Sequence, residues 1–174
     1  MEISENKQNI NVTWVVFINA SDYVTLADYL AAGGFVYSGS VQSPTPIYIK
    51  DVNTGAYEKL ALSLNSIGAD AKKYVARLLP SDKYNIPASQ FTCEYEIKPL
   101  SVEIKWQDGE NDTGTTFNYT YDNTVKKPYA YAQAADGTVF TDAVTVEGKI
   151  NAGSHIATAK VNSNFTVSSG RTQR

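Results

Sequence analysis

Three acidic side chains at alternate positions are the first residues in this chain that could do chemistry. The run DGENDTG places Asp108, Glu110 and Asp112 two apart, the spacing by which calcium loops converge hard oxygen ligands on one cation. The match is partial. Glycine is not at the sixth position, no glutamate stands at the twelfth, and the run follows a strand-like segment rather than a helix. A solvated turn is the plainer reading, with Asp108, Glu110 and Asp112 kept as the candidate calcium ligands.

Aromatic residues suggest a second chemistry. The chain holds 12 tyrosines and 2 tryptophans, and aromatic faces stack on the apolar faces of sugar rings. Tyr37, Tyr84, Tyr95, Tyr121 and Trp106 alternate with aliphatic residues, so they read as core rings. Tyr129 and Tyr131 differ: in KKPYAYAQ they sit two apart on a strand started by proline, as edge strands are. They are the candidate glycan platform.

Catalytic groups are sparse. The single histidine, His155, follows Gly153 and Ser154 at an expected strand start, and the two similar halves of the chain do not share it. No GxSxG elbow is present. The single cysteine, Cys93, excludes an internal disulfide, a CxxC pair and a multi-cysteine metal site. In QFTCEYEI it shares one strand side with Phe91, Tyr95 and Ile97, which predicts a buried structural thiol. Lys105 is a candidate for a Lys–Asn cross-link by residue type, but alternation sets it opposite Trp106, toward solvent. The expectation is a protein that is not an enzyme and has no cofactor.

Bulk properties narrow the partners. A net charge of −3 with 19% charged residues leaves no electrostatic footprint for nucleic acid. No apolar run reaches the roughly 18 residues of a membrane span, so membrane insertion is not expected. The start, MEISENKQN, lacks the basic-then-apolar pattern of a secretory leader.

The elements that would position these residues come in two copies. FVYSGSVQSP (35–44) is echoed by YTYDNTVKKP (119–128) at a constant offset of 84. A Gly turn follows in each, ending at Gly55 and Gly137. Then come KYVARLL and HIATAKV, then KYNI and NFTV. Upstream, Ile10, Val12, Trp14 and Val16 alternate in one copy, and Leu100, Val102, Ile104 and Trp106 in the other. Aligning Val12 with Val102 gives an offset of 90, so the first copy carries six extra residues before Phe35. Those fall in SDYVTLADYLAAGG, where Ser21 or Asp22 can cap a short helix ended by Gly33.

A period of 80 to 90 residues is long enough to fold alone. The fold class expected is all-β: two tandem immunoglobulin-like antiparallel β-sandwich domains, residues 1–97 and 98–174, with a short helix in a loop of the first. The short link at Lys98 and Pro99 predicts an elongated, semi-rigid pair. Copy one continues eleven residues beyond Ile86 to its last strand, whereas seven follow Val167, so the closing strand of copy two is expected to be missing or frayed.

Tyr121, Asp122 and Asn123, and Tyr37, Ser38 and Gly39 in the first copy, stand where bacterial immunoglobulin-like repeats of the MBG or YDG type carry Tyr-Asp-Gly. With the following Pro, Gly turn, YVARL or IATAKV, and YNI or FTV, nearly the whole chain resembles that family. The resemblance implies a spacer or adhesion module of an extracellular or cell-surface bacterial protein. Its partners would be neighbouring repeats of a longer chain, or a surface glycan or host protein. A carbohydrate-binding module using exposed tyrosines is the alternative.

Overall fold

In a computed structural model, residues 6–107, 116–170 and 172–173 are described. The protein is all-β, and its one α-helix among the described residues is short. The chain divides into two compact units, Met1–Lys98 and Pro99–Arg174.

In unit 1 the strands are β1 (Gln8–Asn9), β2 (Thr13–Phe17), β3 (Tyr23–Thr25), β4 (Phe35–Val36), β5 (Thr45–Asp51), β6 (Ala56–Lys59), β7 (Lys73–Arg77), β8 (Tyr84–Asn85) and β9 (Thr92–Lys98). One sheet runs β3-β2-β5-β6, a second β4-β9-β7, and β1 pairs with β8. The main core unites both larger sheets: Val16 comes from the first, Phe35, Ala76, Tyr95 and Ile97 from the second. β9 shows why. Its pattern puts Glu94 and Glu96 in water while Tyr95 and Ile97 are buried, as period-two alternation requires. The Tyr95 hydroxyl escapes the penalty of dry burial by donating to the Gln42 carbonyl at 2.8 Å. A smaller cluster of Ile10, Val12 and Leu78 packs with Tyr84, Ile86 and Phe91. Each large side chain so buried contributes about 1.5–3 kcal/mol.

The helix, α1 (Leu26–Ala31), starts later than the sequence suggests. Its cap is Thr25, whose hydroxyl accepts from the Asp28 amide at 3.2 Å and donates to the Asp28 carboxylate at 2.7 Å. Asp22 is already committed, because the Asn19 side chain gathers the Ser21 and Asp22 amides into a turn that folds β3 back on β2. Tyr23, Val24 and Thr25 therefore form strand rather than the first helical turn, and Leu26 is the buried residue of the helix. Gly34, at φ 73°, closes the helix by donating to the Tyr29 carbonyl.

Unit 2 comprises β10 (Leu100–Gln107), β11 (Tyr129–Gln133), β12 (Val139–Phe140), β13 (Val144–Val146), β14 (Ala159–Val161) and β15 (Phe165–Ser169). One sheet runs β12-β11-β10-β15, and β13 pairs with β14. Val102, Ile104 and Trp106 point inward with Ala130, Ala132, Ala159 and Phe165. Both alanines of β11 are small because Trp106, fully buried, lies across from Ala130 in the ladder.

The two units repeat their strand pairings. Gln8 pairs in parallel with Tyr84, as Leu100 does with Phe165. Trp14 faces Pro46 across an antiparallel ladder, as Trp106 faces Ala130. Ile49 faces Tyr57 as Gln133 faces Val139. An isolated bridge recurs, Gln42 with Gly68 and Lys126 with Lys149, and the isolated bridge of Thr158 with Gln173 stands where Val75 pairs with Glu94 in the β7–β9 ladder. These pairings set Gln8 on Leu100 and Trp14 on Trp106, an offset of 92 rather than 90. Trp14 to Pro46 is 32 positions and Trp106 to Ala130 is 24, so the insertion around α1 is eight residues, not six. A slip of two preserves which side chains face inward, so alternation alone could not detect it.

Candidate functional site

Two surfaces of unit 2 carry the residues that could bind something. On β11, Ala130 and Ala132 face inward and Tyr129, Tyr131 and Gln133 face outward. β12 pairs only with Ala132 and Gln133, leaving Tyr129 and Tyr131 beyond its reach. On the β10 side Lys105 is opposite Tyr131 and Gln107 opposite Tyr129. The rings lie 6.1 Å apart and tilted by 36°, with Tyr129 exposed and Tyr131 half-buried. They form an angled pair on an outer sheet face rather than a flat row. Lys105 lies on that outer face as its alternation predicts, and its ammonium is 3.0 Å from Glu103.

The second surface is a cleft of about 440 Å³ between residues 116–121 and 147–157, with Tyr119, Tyr121, Ile150 and Ile156 among its walls. Here the sequence reading is corrected. Tyr121, expected as a core ring, is 58% exposed, and Tyr119 is 43% exposed against 4% for its counterpart Phe35. In unit 1, Phe35 pairs in parallel with Ile97 and Tyr37 donates to the Lys98 carbonyl at 2.8 Å. No strand of the described residues lies beside 119–121. The periodicity that marked these tyrosines as core is correct in type but says nothing of whether a covering strand is there.

The turn that follows Tyr121 is built as its repeat implies. Asn123 is the one described non-glycine residue at positive φ, 61°, where Gly39 of unit 1 has 76°. Asp122 organises the turn: its carboxylate accepts from the Thr124 amide at 3.0 Å, the Thr124 hydroxyl at 2.5 Å and the Lys126 ammonium at 2.5 Å. These partners, Lys126 first, hold its acid well down, at about 2. Because the folded value lies below the unfolded one, the turn's gain is complete above the ordinary 3.8 and is lost as pH falls through about 2. In an NMR titration the Asp122 carboxyl should show its midpoint near 2, moving up toward 3.8 in Lys126→Met. A midpoint at 3.8 in the unaltered protein would refute this account of the turn.

Titratable groups elsewhere are tuned for structure. Lys50 and Glu58 pair at 2.7 Å, and the Tyr84 hydroxyl donates to Glu58 at 3.1 Å. The mutual hydrogen bond raises the Lys50 pKa and lowers that of Glu58, moving both away from neutrality, opposite to what general acid–base work needs. Cys93 is half-buried against the main core, and burial pushes its thiol up to about 11, so it is a poor nucleophile. His155 lies in the loop before β14 rather than at a strand start, exposed, its Nε2 2.8 Å from the Asn151 carbonyl. Asp108, Glu110 and Asp112 lie outside the described residues. Among the described residues no three His, Cys, Asp or Glu side chains are grouped to hold a metal, and no helix is long and apolar enough to cross a membrane.

One aromatic cluster was not legible in the sequence. Phe17, Tyr23 and Tyr57 meet with ring centroids 5.5 to 5.8 Å apart, and the Lys59 ammonium sits 3.8 Å over the Phe17 ring. It is assembled by register, Phe17 opposite Tyr23 across β2–β3, on the face away from Trp14 and Val16. No family model, curated protein or solved structure matches the chain.

Proposed function

We propose that the chain is a non-enzymatic pair of immunoglobulin-like sandwich units, akin to bacterial MBG or YDG repeats, serving as a spacer or adhesion segment of an extracellular or cell-surface protein. Its partners are neighbouring repeats of a longer chain. The observation that carries this reading is the recurrence of the same strand pairings in the same order in both units. Duplication keeps the ladders while the face opposite Trp14 and Trp106 diverges: Thr13, Val15, Thr45 and Ile47 of unit 1, of which Val15 and Ile47 are fully buried, correspond to Lys105, Gln107, Tyr129 and Tyr131 of unit 2. A module selected for length and resistance to unfolding needs the ladders and is indifferent to which residues fill that face.

Single-molecule pulling tests it. Two separate unfolding events are expected, releasing at most about 350 Å and about 270 Å of chain for 98 and 76 residues at about 3.6 Å each. One merged event would refute the reading.

The carbohydrate-binding reading is favoured by the exposed Tyr129–Tyr131 pair. It requires that the chain give a glycan-array signal and that Tyr129→Ala with Tyr131→Ala abolish it. A signal that survives both changes would reject the pair as a platform.

A further inference from the structure

The first strand of unit 2 runs parallel to its last. β10 meets β15 at four positions, Leu100–Phe165, Ser101–Thr166, Val102–Val167 and Glu103–Ser169. Just before them the Leu100 N–H donates to the Asn164 carbonyl at 2.9 Å. From Glu103 to Gln107 the same strand pairs antiparallel with β11, so β10 is gripped along both edges. In unit 1 the matching parallel pair, β1 with β8, spans two positions.

Between Val102 and Glu103 the register shifts, because β15 advances from Val167 to Ser169 and leaves Ser168 as the extra residue of a bulge. The Ser168 hydroxyl closes that gap by donating to the Val102 carbonyl at 3.1 Å. Beyond it Gly170 lies so near β10 that a Cβ there would meet the Ile104 carbonyl oxygen at 2.6 Å. Phe165, which opens β15, is buried with its ring 4.9 Å from that of Phe140.

The direction of a pull decides how such a pair fails. Tension along the chain enters β10 before Leu100 and leaves β15 after Ser169, so it draws two parallel strands past each other along their own axes. Every bond between them is strained at once, and Phe165 has to be dragged out of the core. The isolated bridge of Thr158 with Gln173 lies beyond β15 and yields before it. Strands pulled apart from adjacent ends give way one bond at a time instead.

We propose that the β10–β15 pair, stapled across its bulge by Ser168, is the tension lock of unit 2. It deepens the spacer reading and rests on it for its use in the cell, whereas the resistance itself follows from the ladder. One merged unfolding event would end the spacer reading and leave the comparison of pulling directions intact.

The test is single-molecule pulling of the whole chain through cysteine handles, with Cys93→Ala to remove the native thiol; that change lies in unit 1, outside the stretch between the handles. Ser101, Ser163 and Ser169 are exposed, so serine-to-cysteine changes spare the fold. Ser101→Cys with Ser169→Cys pulls along the strands, and Ser101→Cys with Ser163→Cys pulls their adjacent starts apart. At equal force the first pair of handles should give a lifetime at least about tenfold longer, because several bonds must break together. Ser168→Ala should shorten that lifetime about fivefold, the rate equivalent of one net hydrogen bond, and leave the second lifetime unchanged. Equal lifetimes in the two directions, or a longer one for the adjacent starts, overturn the proposal. No shortening by Ser168→Ala, or equal shortening in both directions, overturns the staple, since a loss of general stability acts on both.

Discussion

Replacing Trp106 with alanine should leave unit 2 largely unfolded at 37 °C while unit 1 keeps its cooperative transition. Trp106 heads the fully buried side chains of the protein, at 0% exposure. It lies across from Ala130, and its ring is 6.2 Å from that of Phe117. Large-to-small changes of this kind cost about 3–5 kcal/mol. A unit of 76 residues has on the order of 4–11 kcal/mol in total at typical stability per residue. Ala130 and Ala132 cannot collapse into the space, because each carries only a methyl group fixed to the backbone. The equivalent change in unit 1, Trp14→Ala, should cost less: Trp14 is only half-buried, and its indole donates to the Gln90 carbonyl at 3.2 Å near the end of the core. Thermal melts followed by NMR resonances assigned to each unit would separate the two. Equal losses for Trp14→Ala and Trp106→Ala would contradict the burial difference.

Ile97→Asp should abolish folding of unit 1. Ile97 is fully buried between the sheets, in a core with Phe35, Ala76 and Tyr95, and its ladder partner Phe35 offers no polar group to a carboxylate. Aspartate there must either stay protonated or carry an unpaired charge in an apolar site, on top of the lost aliphatic packing. Removing the side chain alone, as in Ile97→Ala, costs about 2–5 kcal/mol, so the charged variant exceeds that. The adjacent Glu96→Gln, on the exposed side of the same strand, should lie within about 0.5 kcal/mol of the unaltered protein. The amide spectrum of residues 6–98 should collapse to unfolded shifts in the first variant and stay in place in the second. A dispersed unit 1 spectrum in Ile97→Asp would show that β9 does not close that core.

Much of the fold was legible before any coordinates. The alternation of Thr92–Lys98 and Leu100–Gln107 correctly assigned inside and outside, because a strand's two faces are set by its own backbone and need no knowledge of partners. The glycine turns were legible for a similar local reason: Gly55 and Gly137 both adopt positive φ, at 71° and 88°, where side chains are strained. Tyr129 and Tyr131 do face outward, but the edge position that the preceding proline suggested is corrected: β11 lies between β12 and β10, and it is the inward turn of Ala130 and Ala132 that leaves the tyrosines outside.

Properties that depend on a distant segment were not legible. The cap at Thr25 was missed because Asp22 is claimed by a turn that β2–β3 pairing makes favourable. The offset of 92 was hidden, since a shift of two leaves every face unchanged and only the partners across the ladder reveal it. Phe35 and Tyr119 look alike in sequence, yet one is covered by β9 and the other opens on a cleft. By itself, then, the sequence determined the two faces of strands such as Thr92–Lys98 and Leu100–Gln107 and the likeness of the two halves, because alternation is a short-range property of the backbone. Tertiary structure alone decided which edges are covered, because burial belongs to a pair of segments and is not a property that either one carries alone.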